Sequence, residues 1–156
     1  MQASTFFPRP ATVLLAGLAG GAAEILWVAA YAGMSPASGL AVARGVTDTV
    51  LPGAGDFGFA ALAGVAIHML LSVALAWAFA VPLLRRVAAR FGDAALVPAA
   101  LAALAGVWAF NFLVLLPALN PAFVALLPAA VSLASKLLFG AAMVAVLKRG
   151  TRAPAP

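Results

Sequence analysis

The sequence contains no cysteine, one histidine and one tyrosine, and its 156 residues include only nine basic and four acidic side chains. Each shortage excludes something. Without cysteine there is no disulfide framework, no thiolate metal site and no cysteine nucleophile. Charged residues make up 8% of the chain, against about 25% in ordinary soluble domains. That is too few to cover the surface of a soluble fold of this length. A disordered chain is excluded as well, because disorder requires low hydrophobicity and high net charge. What the sequence has instead is apolar material, at 66% of all residues. These figures describe an integral membrane protein.

The formal net charge of +5 and the isoelectric point near 11.3 would also suit a nucleic-acid binder. The basic residues form no stripe with interleaved aromatics, so nucleic acid is excluded as a partner. The bilayer is the partner that composition implies.

Crossing a hydrocarbon core of about 30 Å takes roughly 20 helical residues. Four stretches reach that length, at 11–33, 57–84, 94–117 and 121–147. Their Leu and Ala content favours helix, and no ten-residue alternation suggests a β-barrel. The expected fold is an all-α, four-helix antiparallel bundle in a single membrane domain. The first run is too long for a signal-peptide core and contains Glu24, so it reads as a retained span. Pro82, Pro98 and Pro121 fall near span ends, whereas Pro128 lies inside the fourth stretch and predicts a kink there.

The basic residues give the orientation. Arg9, Arg85, Arg86, Arg90, Lys148, Arg149 and Arg152 fall on one side of a four-span chain. Arg44 stands alone on the other side, and Lys136 lies within a span. By the positive-inside rule both termini are cytoplasmic, and the basic pI becomes a topological signal. Residues 34–56 form the one long extracytoplasmic loop. In it Ser38 is placed to cap a short interfacial or re-entrant helix over 39–51, anchored by Leu40, Val42, Val46, Val50 and Leu51. The 118–120 connection is short and predicts a tight hairpin between spans three and four. The tail, 148–156, is cytoplasmic, and its Ala/Pro-rich end is expected to be disordered.

Each span also carries a polar residue that lipid exposure alone would not favour: Glu24, His68, Asn111 and Lys136. At a rise of about 1.5 Å per residue from the cytoplasmic ends, Glu24 lies about 20 Å deep and Lys136 about 17 Å deep. The same count puts His68 about 24 Å deep and Asn111 about 26 Å deep, so the four form one layer. Small residues flank them: Gly17 and Gly21 before Glu24, Gly64 and Ser72 around His68, and Ser132, Ser135 and Gly140 around Lys136. Such residues allow close helix contact. Two readings compete. In one, Glu24 and Lys136 form a buried ion pair, with His68, Asn111 and the serines completing a hydrogen-bonded core. In the other, Glu24 is a proton or cation site with His68 as its relay; a contact point for a partner subunit is the remaining alternative.

No catalytic set, phosphate loop or metal-ligand cluster is present. A haem held by this chain alone would need a second axial ligand. Met69 points to another face of its helix, and Met143 reads as packing. No cofactor is therefore expected; only an interface with another chain leaves room for a shared haem or quinone.

Taken in order, GGAAEILWVAAYAGMSPAS, LPGAGDFG, GVAIHMLLS, FNFLVLLPAL and SKLLFGAAM resemble the motifs of a group of small, uncharacterised four-helix proteins of the bacterial inner membrane. The resemblance implies the architecture and the inner membrane, and it implies no activity. Members often have a second histidine where this chain has Ser135 and Lys136, so a paired-histidine function would be missing here. The small multidrug transporters also have four spans with a Glu in the first, but they are shorter and lack so long a first loop. The function expected is therefore non-enzymatic: an accessory or scaffold subunit of a larger inner-membrane assembly, with a respiratory or other redox complex a natural host, that partners other membrane subunits or itself. The alternative is a small proton- or cation-coupled transporter or channel built on Glu24.

Overall fold

The computed structural model describes residues 8–152, and all regular structure within them is helical. Helix α1 spans Pro10–Gly33, α2 Gly39–Val50, α3 Ala60–Phe79 and α4 Arg85–Phe91. Helix α5 spans Leu96–Phe110, α6 Leu116–Leu119, α7 Pro121–Val124 and α8 Ala129–Arg152. A π-helical turn, Ala80–Leu84, joins α3 to α4, and a second, Asn111–Leu115, joins α5 to α6. Four helical rods are long and apolar enough to cross a membrane: Pro10–Gly33, Ala60–Phe91, Asp93–Leu119 and Ala129–Gly150. The expected disorder of the tail falls on residues 153–156, outside the described part.

Both π-turns have a proline beside them. Pro82 lies within the first, and Pro117 follows the second by two residues. Proline has no N–H to donate four residues back, so the backbone ladder must be rearranged locally. In the second turn the Leu116 N–H bonds to the Asn111 carbonyl, five residues back. The turn begins at Asn111, and π-turns of this kind are frequent at functional sites.

Two expectations about the fourth stretch are corrected. Pro128 does not kink a helix running from 121 to 147; it precedes α8, and its carbonyl accepts from the Ser132 N–H at 3.0 Å. Proline suits a helix start and biases the residue before it away from helical backbone, so the chain breaks across 125–127. The connection between the third and fourth rods is accordingly longer than 118–120. It runs through α7, whose first turn is capped by the Asn120 side chain accepting from Phe123 N at 3.1 Å.

Helix α1 packs most extensively on α8 and next on α3, while α5 packs on α8. The packing order is α3, α1, α8, α5. The α3–α4 rod meets α5 mainly at the Ala80–Leu84 turn and at α4. The two rods are therefore joined at one end and separated along the rest.

The core shows the same asymmetry. Val13, Ala16, Leu84, Ala88, Leu96, Leu104, Phe139, Met143 and Leu147 form one solvent-free cluster at the joined end. There Thr12 of α1 closes on Gly150 of α8. The helix ends that carry most of the basic residues are thus gathered at the solid end of the molecule.

The opposite end is covered by α2, which packs along α3. Ser38 caps it, accepting from Ala41 N at 3.2 Å. Thr47, fully buried, donates to the Ala60 carbonyl at 2.6 Å. The Ala43 carbonyl lies so near Gly64 that no side chain fits there. Asn120 fastens α2 to the connection below it, its amide reaching Thr49 Oγ1 at 3.1 Å and Asp48 Oδ2 at 3.5 Å.

Candidate functional site: a polar cleft between the helices

The site begins with glycines. A Cβ on Gly17 would meet the Val73 Cα at 2.6 Å, and one on Gly20 would meet the Phe139 ring at 2.7 Å. A Cβ on Gly21 would meet Ser72 Oγ at 2.7 Å. One face of α1 thus lies against α3 and another against α8. Glu24, one turn further on, is held between the two neighbours and is buried, with 4% of its surface accessible.

Lys136 of α8 supplies the opposite charge. Its Nζ lies 2.8 Å from Glu24 Oε1 and 3.1 Å from Oε2, so both carboxylate oxygens are engaged. Ser135 Oγ is 3.4 Å from Oε1 and donates to the Ser132 carbonyl at 2.8 Å. The ammonium also stands over the Phe139 ring, 5.6 Å from its centroid.

His68 and Asn111 are placed differently. His68 Nε2 lies 3.6 Å from Glu24 Oε2, beyond a good hydrogen bond, and it is buried with no hydrogen-bond partner among the described residues. Asn111 stands at the start of the π-turn on the far wall, lining the same space as Glu24, His68 and Lys136. The polar layer is therefore an ion pair with an imidazole beside it, whose Nε2 makes no hydrogen bond, and an amide across from it.

The smaller residues of the expected layer have mixed roles. Gly17 and Gly21 pack on α3, and a Cβ on Gly140 would meet the Leu104 side chain of α5 at 2.8 Å. Gly64 instead receives α2, a loop helix, which sequence spacing gave no reason to expect. Ser72 is turned into its own helix, donating to the His68 carbonyl at 2.8 Å. Ser132 accepts from Trp108 Nε1 at 3.1 Å, tying α8 to α5. Gly20, Gly45 and Trp108 were absent from the sequence-level set. A Cβ on Gly45 would strike the Phe123 ring, which places α2 directly on α7.

Because α3 and α5 stay apart, the polar layer is open. A cavity of about 310 Å³ lies between it and α2, and a cleft of about 700 Å³ runs sideways between α3 and α5. Glu24, His68, Asn111 and Lys136 border both spaces. The cavity wall includes the stacked pair Trp108–Phe112, with ring centroids 5.6 Å apart and planes 16° from parallel. The described residues hold no group of three or more His, Cys, Asp or Glu able to bind a metal ion. No family model, curated protein or solved structure matches this chain.

Proposed function

We propose that the chain is a non-enzymatic, multi-pass protein of the bacterial inner membrane, with both termini cytoplasmic, that serves as an accessory or scaffold subunit of a larger membrane assembly. The observation that carries this reading is the Glu24–Lys136 pair. A carboxylate whose two oxygens are both held by an ammonium of the same chain is not a vacant ion site. Such a pair offsets much of the cost of placing two charges in the bilayer. The separation of α3 from α5 supports the reading too, because helices in lipid associate by close packing and these two leave a side of the molecule unclosed. Extraction in a mild detergent followed by native mass spectrometry tests it. A co-purifying membrane chain in fixed ratio is expected, and a lone monomer would overturn the proposal.

A second reading, a small proton- or cation-coupled transporter, is favoured by one observation: Glu24 borders both cavities. It requires that Glu24→Gln abolish a proton or substrate flux in proteoliposomes while the protein stays folded. Unchanged flux, or no flux in the parent protein, removes it.

A further inference from the structure

The two spaces around the polar layer differ in character from a water-filled path. Leu71, Leu75, Val107, Leu115 and Leu119 wall the cleft between α3 and α5, and the cleft opens on the flank of the helices. The end opposite the solid core is covered by α2, fastened through Asn120 to Thr49 and Asp48. In a bilayer, that opening faces lipid. Volumes of about 310 and about 700 Å³ fall in the range of roughly 300–1,000 Å³ common to small-molecule sites.

The chemistry at the inner end of the cleft is specific. Glu24 and Lys136 neutralise each other, so an anionic headgroup finds no surplus cation, and a cationic one would have to displace Lys136. A neutral head meets no such opposition. His68 Nε2 is buried without a hydrogen bond, with Glu24 Oε2 3.6 Å away, and buried polar atoms in that condition are rare in the absence of a ligand or water. Asn111 stands opposite with both an acceptor and two donors. The smaller cavity, which shares these polar residues with the cleft, has Trp108 and Phe112 on its wall, their rings stacked on each other.

We propose that this cleft, together with the cavity that shares its polar residues, binds a neutral, lipid-soluble molecule of the isoprenoid quinone or quinol class. Its planar ring lies against Trp108 and Phe112, its oxygens bond to His68 and Asn111, and its apolar tail leaves between α3 and α5. A flat ring distinguishes this ligand from a diacylglycerol, and its neutrality distinguishes it from an anionic phospholipid. The site is lined by one chain alone, and a partner subunit seated on the flank between α3 and α5 would have to leave its entrance open.

The experiment uses the purified full chain in nanodiscs titrated with decylubiquinone, read by quenching of tryptophan fluorescence. Saturable quenching is expected, with Trp108→Phe removing most of it and Trp77→Phe, outside both spaces, leaving the saturation midpoint unchanged. His68→Leu and Asn111→Leu should each raise that midpoint at least tenfold. Leu115→Trp, at a half-exposed cleft wall, should also block binding without touching the core, which keeps the test valid if a polar-layer variant fails to fold. Non-saturable quenching, or midpoints unmoved in folded His68, Asn111 and Leu115 variants, would overturn the proposal. So would displacement of decylubiquinone by dioleoylglycerol or phosphatidylglycerol at equal concentration, which would make the cleft a general lipid groove.

Discussion

Lys136 of α8 places its ammonium 2.8 Å from one carboxylate oxygen of Glu24 on α1 and 3.1 Å from the other. The two residues are 112 positions apart in the chain, and their union joins the most extensively packed helix pair in the molecule. The same pair forms the inner end of the cleft, so it is at once a structural bond and a chemical boundary.

Removing either partner leaves a charge in a site that cannot solvate it well. Glu24→Gln or Lys136→Met alone should each cost about 3 kcal/mol of stability, while the double substitution should cost less than the sum, with a coupling of about 1–3 kcal/mol. Thermal unfolding of the four proteins in one detergent measures the cycle. Additive losses would mean the pair carries no net stability.

The glycines of α1 and α5 should respond oppositely to the same change. Gly17→Ala drives a methyl group into the Val73 backbone, which cannot move aside, and should destabilise by about 1–3 kcal/mol. Gly106 of α5 has nothing within 4 Å of its added Cβ. Gly106→Ala should therefore be neutral or stabilising by up to about 1 kcal/mol through helix propensity. Unfolding midpoints of the two variants decide the matter.

Phe139 is the largest fully buried side chain among the described residues, seated against Gly20. Phe139→Ala should cost about 3–5 kcal/mol by opening a cavity in the solid end of the core. Gly20→Ala, harmful in the parent protein, should be tolerated beside Phe139→Leu, since the ring edge it strikes is then gone. The double variant's melting temperature, compared with each single one, reports the contact.

Asn120 holds α2 over the cleft by bonding Thr49 and Asp48 while capping α7. Asn120→Ala should release that cover locally, at a cost of about 1–2 kcal/mol. Faster hydrogen exchange is expected across residues 45–51 and 121–124, with residues 13–20 unaffected. Uniformly faster exchange would show that the cover is part of the global fold.

Because the chain lacks cysteine, orientation can be measured with single introduced thiols. Asp56→Cys, exposed in the long loop, should react with an impermeant maleimide in sealed spheroplasts. Ala89→Cys, exposed on α4, should react only after lysis. The reverse pattern would place the basic, solid end outside.

Much of this was legible before any coordinates. Long apolar runs show as spans because hydropathy adds residue by residue, and Ser38 marked the start of α2 because an N-cap is a local property. Glu24, His68, Asn111 and Lys136 stood out because each is costly at its depth. The Asn120–Pro121 pair was a signal left unused: an Asx cap followed by proline marks a helix start, and it would have shown the short helix α7. Gly20 and Gly45 were not distinguishable from the other glycines, since each matters only through one ring on a distant helix. The open face between α3 and α5 was not legible at all.

The sequence by itself determined how many helices are long enough to span a bilayer, where the positive charge collects and which polar residues are out of place. These depend on single residues and their distance along the chain, measured against a solvent of known thickness. Only the tertiary structure decided that Lys136 takes both oxygens of Glu24, that His68 Nε2 is left without a hydrogen bond, and that α2 closes one end while the flank stays open. For helices apolar on every face, burial alone gives no preference for one neighbour over another. The arrangement is therefore set by the fit of Gly17, Gly20, Gly64 and Gly140 against particular backbones and side chains, which no composition or periodicity encodes.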